Sequence, residues 1–342
     1  MTRTVRAAIV VAVVATAALF AGCSSSASTA STTTNTSSTT TAGASSNVAT
    51  STVAASTASS SAATPISLTA PCGRVTAPPA HYAHVVVIME ENRTWTGGRS
   101  PAVGLGFSPT KMPFLHSLST KCAGYTHWAE TNASQDSLTQ YIGLTSGVNN
   151  PKTVNDCSPS ATCRSVDNNI FRQVRSTTGG TARDFVDGAT TTCSAQGNAV
   201  RHIPAMYYYG GTDHTYCATE VVPLSRMDPN HLPTFAVISP TLCHDGHDCG
   251  DPSVDAWAKP TLTSLINGAD YKAGTTLIVV VWDEDAQVPN LLIAPTAHVG
   301  LIGSTAGSHA GLLKTVEQAL GLPVMNQGQL PTAISLRTSA HL

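Results

Sequence analysis

Nine of the twenty acidic residues fall in three short windows, and each window follows an apolar run. Glu90 and Glu91 follow His84–Met89. Asp245, Asp248, Asp251 and Asp255 follow Thr234–Ser239. Asp283, Glu284 and Asp285 follow Thr276–Trp282. In open α/β sheets, ligands bind outside the carboxyl ends of the strands. Like charges crowded there are costly unless protons or a cation intervene, and a divalent metal would invert the local electrostatics. Solvated loops would explain one such cluster, but three coincident strand ends poorly. His244-Asp245-Gly246-His247-Asp248 adds imidazoles to the middle window, and its glycine permits a tight turn between the candidate ligands. His309 opens the last helical segment behind Ser308, a good N-cap residue. Imidazoles there could bind a metal, hold a phosphate oxygen or protonate a leaving group. Ser137 supplies a candidate nucleophile. In Ser137-x-x-Gln140 it reads as a capping box, placing its hydroxyl at a helix N-terminus that favours an incoming phosphate. Taken alone, Ser137 would only cap the helix.

The elements that must position these groups are legible as short β-branched runs, His84–Met89, Thr234–Ser239, Thr276–Trp282 and Asn290–Ala294. Helical patterns lie between and after them, at Met112–Lys121, Ser137–Thr145, Asn168–Arg175, Ser253–Asn267 and Ser308–Leu320. Pro260 starts or kinks the second part of the Ser253 helix. This alternation predicts an α/β domain with a mainly parallel sheet sandwiched by helices. Residues 149–222, rich in Gly, Thr, Cys and Tyr, read as loops with short elements.

Residues 1–23 read as a signal peptide: Arg3 and Arg6, an apolar run from Ala7 to Ala21, then Gly22-Cys23. Phe20-Ala21-Gly22-Cys23 resembles a bacterial lipobox, with Cys23 as the lipidated residue. Ordinary cleavage with release, or an uncleaved anchor, are the alternatives. Residues 24–70, almost entirely Ser, Thr and Ala, read as a disordered tether. Residues 71–342 form the remaining domain. The expected location is the outer face of the cytoplasmic membrane, or outside the cell. A net charge of −2 with no basic run argues against nucleic acid. Cys72, Cys122, Cys157, Cys163, Cys193, Cys217, Cys243 and Cys249 form an even set, read as disulfides in an exported chain. Cys157/Cys163 and Cys243/Cys249 could close small loops, leaving Cys72/Cys122 and Cys193/Cys217 as partners, although spacing leaves the connectivity open. A zinc site is disfavoured because no Cys-x-x-Cys pair occurs.

The order of these motifs resembles a known family. His84-Val-Val-Val-Ile-Met-Glu-Glu91-Asn92-Arg93, Ser137-Leu-Thr-Gln-Tyr141 with Thr145-Ser-Gly147, Arg201-His202-Ile-Pro204, Leu232–Pro240 with His244–Asp248, Trp282-Asp283-Glu284 and Ser308-His309 recur in sequence. They are similar to the phosphoesterase family of bacterial acid phosphatases and phospholipases C, within the alkaline phosphatase superfamily. The similarity runs from about His84 to Pro323 and is greatest to small secreted acid phosphatases of actinobacterial type.

The resemblance implies an alkaline-phosphatase-like fold and a divalent metal held by Glu91, Asn92, Asp283 and Glu284 together with Ser137. It implies a phosphoserine intermediate on Ser137. His247 and His309 would serve proton transfer or hold phosphate, and His202, Asp245, Gln140 and Asp255 would lie on the substrate side. Oxygen ligands suit Mg²⁺, Mn²⁺ or Ca²⁺, and histidines would admit Zn²⁺. The expected partner is a small phosphorylated substrate, with a phospholipid or phosphoinositide within reach of a tethered enzyme. A phospholipase C-type diesterase and a non-catalytic envelope lipoprotein are the competing functions. Thr139 and Gln140 stand where the family has Pro and Asn, and counting forward from Glu130 selects Ser134 instead of Ser137 as nucleophile.

Overall fold

In a computed structural model, the described residues are 65–93, 107–285 and 287–342, all within the compact unit Ser60–Leu342. The expected signal segment, most of the tether and Cys23 lie outside them.

A six-stranded sheet forms the centre. Its strands are β1 (His84–Glu90), β2 (Ala182–Val186), β3 (Val221–Pro223), β4 (Phe235–Ser239), β5 (Thr276–Trp282) and β6 (Asn290–Ile293). The spatial order is β3-β2-β4-β1-β5-β6. All neighbours run parallel except β5 and β6. The continuous apolar runs of β4 and β5 are explained by complete burial, as parallel sheets covered on both faces require. Strands β2 and β3 fall in the stretch read as loops, because Arg183 and Asp184 interrupt the first and the second has only 3 residues. Asp184 is tolerated in the core because it accepts hydrogen bonds from Ser239 Oγ at 2.9 Å and the Ala205 N–H at 3.3 Å.

Four longer helices accompany the sheet: α1 (Pro113–Ser119), α2 (Ser137–Ser146), α3 (Asp251–Asn267) and α4 (His309–Ala319). α2 packs on α4, and α1 on α3. Pro260 lies inside α3 and neither starts nor ends it. The expected Asn168–Arg175 helix is one α turn, Ile170–Gln173, passing into a π turn, Val174–Thr178. Ser308 caps α4 by accepting from the Gly311 N–H at 2.9 Å. The fold class is therefore α/β with a mostly parallel sheet flanked by helices.

The cysteines pair as Cys72–Cys122, Cys157–Cys163, Cys193–Cys217 and Cys243–Cys249. The last closes a short loop around His244–Asp248. Among the described residues no helix is long and apolar enough to cross a membrane.

Candidate active site

Strand β1 lies between β4 and β5, so the three acidic windows meet at one edge. In the strand order the chain goes on from β1 to β2 on one flank and from β5 to β6 on the other, the reversal at which a crevice opens at strand ends. Two main-chain bonds lock the windows together: Glu91 N–H donates to Asp245 O at 2.9 Å, and Asp283 N–H to Glu90 O at 3.0 Å. Gly246, at φ 100°, supplies the turn between Asp245 and His247, and a Cβ there would press on Val254 and Arg93.

Glu91 is the hub. It is wholly buried, and its Oε2 accepts from Ser137 Oγ at 3.0 Å while Oε1 accepts from Tyr141 OH at 2.7 Å. Ser137 and Tyr141 are four residues apart on α2, so one helix face presents both hydroxyls to one carboxylate. His202 stacks flat on Tyr141, with ring centroids 5.0 Å apart, and lies between two acids. Its Nε2 is 3.1 Å from Glu91 Oε1 and its Nδ1 is 3.2 Å from Asp245 Oδ2.

Around this hub Asn92 turns at φ 46°, which brings its N–H to Asp283 Oδ1 at 3.0 Å and its Nδ2 to Glu284 Oε1 at 2.5 Å. Asn92 Oδ1, Asp283 Oδ2 and Asp245 Oδ2 are buried with no hydrogen-bond partner. Burial, then the charges of Asp283 and Asp245, raises Glu91 well above the usual carboxylate range. Burial also lifts Asp245 and Asp283 to about 7. Glu284 rises to about 8 through burial and the neighbouring charges of Asp283, Asp285 and Glu130. His202 is pushed down to about 3 by burial and then by Arg201. These acids cannot all ionise without a counter-ion.

The residues fit a divalent cation on that ground. The orphaned oxygens of Asn92 and Asp283 adjoin Glu91 and Ser137, giving the hard oxygen donors that such ions prefer. A second grouping, Glu91, His202 and Asp245, is buried with ligand atoms within 4.8 Å of one another and could also hold an ion. His202 and Asp245, expected on the substrate side, are thus drawn in behind Glu91.

Several expectations are corrected. No capping box forms, because the N-cap of α2 is Asp136 and Ser137 is its first helical residue. Gln140 is fully buried and its amide is fully engaged with main chain: its Oε1 accepts from the N–H groups of Thr131 and Asn132, and its Nε2 donates to the carbonyls of Asn132 and Gln135. Asp255 is not at the site. It receives the Phe114 and Leu115 N–H groups at 3.1 and 2.8 Å, satisfying the first turn of α1. His309 is also occupied. Its Nδ1 accepts from Trp128 Nε1 at 3.2 Å and its Nε2 donates to Asp283 O at 2.6 Å, while burial pushes it down to about 4. It positions Asp283 and has no nitrogen left for proton transfer.

Ser134 is exposed in a turn, whereas Ser137 is buried against Glu91, so the geometry favours Ser137. His247 is half-buried, with Nε2 3.2 Å from Arg201 Nη2 and Nδ1 2.8 Å from Asp248 Oδ1. Glu90, one residue before the hub, is wholly buried and its carboxyl oxygens have no hydrogen bond, while Asp285 is exposed. Two groups escaped the sequence reading. Tyr141 was detectable from its spacing to Ser137. Asp156, which accepts from the Leu138 N–H at 3.0 Å and pairs with Arg201 at 3.0 Å, gave no local signal.

Fold and site together define an α/β protein with a histidine-bearing acidic crevice and a buried serine at the carboxyl edge of a parallel sheet. No known family model matches the sequence. The phosphatidylinositol-3-phosphatase of Mycobacterium tuberculosis (strain ATCC 25618 / H37Rv) is 29% identical over 248 residues, covering 71% of this chain and 78% of that protein. It agrees with the phosphoesterase resemblance that the motifs carry. An alkaline phosphatase superfamily protein from Vibrio parahaemolyticus aligns with TM-score 0.49 and 12% identity, over 71% of this chain and 67% of that one. The phosphonate monoester hydrolase of Agrobacterium radiobacter aligns with TM-score 0.47 and 11% identity, over 76% and 77%.

Proposed function

We propose that the protein is a metal-dependent phosphoesterase that hydrolyses phosphate monoesters through a phosphoserine on Ser137. The observation that carries this reading is the hydrogen bond from Ser137 Oγ to Glu91 Oε2 at 3.0 Å, inside a crevice with uncompensated acidic oxygens. The relative named as a phosphatidylinositol-3-phosphatase supports a phosphorylated alcohol as substrate.

Glu91, Asn92, Asp283 and Glu284 would hold the cation, with His202 and Asp245 as further donors beside Glu91. The cation supplies Lewis acidity toward the phosphoryl oxygens and the serine hydroxyl. Ser137 Oγ attacks phosphorus as its proton leaves toward Glu91 Oε2, its acceptor at 3.0 Å. His247, half-buried and tied by its main-chain N–H to Asp245, protonates the departing alkoxide through Nε2, which must first leave Arg201 Nη2, while Nδ1 stays on Asp248. Water, giving a proton to His247, then attacks phosphorus and breaks the Oγ–P bond, releasing phosphate, and Ser137 Oγ recovers its proton from Glu91. Tyr141 and His202 fix Glu91 by hydrogen bond and stacking, and His309 fixes Asp283 through its main-chain carbonyl.

The sequence further supports export, with residues 1–23 as leader, Cys23 as lipidated residue and residues 24–70 as tether to the domain at 71–342. The test is phosphate release by purified, chelated protein given Mg²⁺, Mn²⁺, Ca²⁺ or Zn²⁺, with a chromogenic monoester and a choline phosphodiester in parallel. Metal-restored monoester turnover is expected. Diester turnover alone would favour a phospholipase C, and no turnover with no metal uptake would favour a binding protein.

A further inference from the structure

A groove of about 380 Å³ runs beside the crevice, between the segment 127–133 and Gln287, Ala306 and Gly307. Its walls are mainly carbon, with Trp128 beneath and the side chains of Ala129, Ala133 and Ala306 exposed along it. Short parallel pairing of Trp128–Ala129 with Gly307–Ser308 holds the walls together. A larger cavity of about 440 Å³ opens at Thr181, Arg183 and Pro233, at the opposite ends of the strands, and includes no residue of the crevice.

Each wall of the groove continues into the reactive residues. The segment Thr131–Ala133 runs through Ser134-Gln135-Asp136 into Ser137, and Gln140 clamps it to α2 through hydrogen bonds at 2.9 and 3.2 Å. Gly143 lets that clamp close, since a Cβ there would collide with the Thr131 side chain. On the other wall Gln287 follows Asp283-Glu284-Asp285. Beneath them Trp128 donates to His309, which in turn donates to the Asp283 carbonyl. Glu130, on the groove, is close enough for its charge to act on Glu284. A smaller cavity of about 280 Å³ opens on the other flank, at Arg93, Gly246 and His247, but it is walled by Lys111, Arg93 and Asp251, so the groove offers the more apolar space near Ser137 for the rest of an ester.

We infer that the groove binds the apolar part of the substrate's alcohol, so that the preferred substrates are phosphate esters of alcohols carrying an alkyl chain or aromatic ring. This rests on the phosphoesterase reading for its reaction but not for its binding. Burying an alkyl chain favours association about threefold or more per methylene fully removed from water.

The experiment pairs binding with turnover. Calorimetry on the metal-loaded protein compares ethylphosphonate with octylphosphonate, which cannot be hydrolysed, and phosphate release compares ethyl phosphate with octyl phosphate. The octyl compounds are expected to be preferred by at least about tenfold. Ala306→Phe and, at the other rim, Ala133→Phe fill the groove and should each bring the octyl-to-ethyl ratio toward one. An octyl-to-ethyl binding ratio near one in the native protein, or unchanged in both variants, overturns the inference even if ethyl phosphate is hydrolysed. A large binding ratio without hydrolysis of either phosphate supports the groove and overturns the phosphoesterase reading instead.

Discussion

In the crevice, Glu91, Asp245 and Asp283 crowd around one another; Asp283 leaves a buried oxygen without a hydrogen bond, and the second oxygen of Asp245 meets only the His202 ring, at 3.2 Å. Beside α1 and α3, Asp251 meets Arg93 Nε at 2.6 Å and Asp255 receives two main-chain N–H groups. Both sets are buried and acidic, and both follow a strand end in the sequence. The difference lies in what answers the charge. A carboxylate matched by a guanidinium or by helix N–H groups is part of the scaffold, whereas three crowded carboxylates that meet hydroxyls, single N–H groups and one imidazole, with no full cation among them, need something from outside.

Breaking the crevice at its hydroxyl gives the largest effect: Ser137→Ala should lower kcat on a monoester by about a thousandfold or more, measured by phosphate release. Ser134→Ala should leave kcat close to native. On the scaffold side, Asp251→Ala leaves Arg93 buried with only the carbonyls of Glu91, Asn92 and Gly246 as partners and should cost about 3–5 kcal/mol of stability in denaturant unfolding. A third acid sharpens the contrast by its pH dependence. Asp184 is raised to about 7 from 3.8 by burial, so the native state holds its proton between those values while the unfolded chain releases it. Its contribution is present below the unfolded pKa and lost as pH rises through the folded one. Asp184→Asn should therefore gain stability relative to native from pH 4 to 7, by up to about 1.4 kcal/mol per pH unit. Tyr141→Phe removes one of Glu91's hydrogen bonds and should lower metal affinity or kcat by about tenfold, read by calorimetry and turnover. Asp255→Ala should cost only about 1 kcal/mol in thermal unfolding, with turnover near native.

The sequence made the central strands legible because β1, β4, β5 and β6 are uninterrupted apolar runs. Strand β2 was hidden by Arg183 and by Asp184, whose burial depends on Ser239 and the Ala205 N–H, both distant in the chain. The gathering of acids at one edge was likewise legible, since it follows from strand ends alone. Their division of labour was not. His309 looks available until Trp128 and Asp283 occupy its two nitrogens, and Asp255 looks like a residue of the substrate side until the start of α1 reaches it. Each of those partners comes from a remote segment. Tyr141 is the exception, because its place four residues after Ser137 already put both hydroxyls on one helix face.

The most direct test of the crevice is to mix the metal-loaded protein with a phosphate monoester, quench in acid during turnover and locate the phosphoryl group by peptide mass spectrometry. Phosphate on Ser137 is the predicted result. Steady turnover with the label on Ser134, or with no labelled peptide and an unimpaired Ser137→Ala protein, would contradict it.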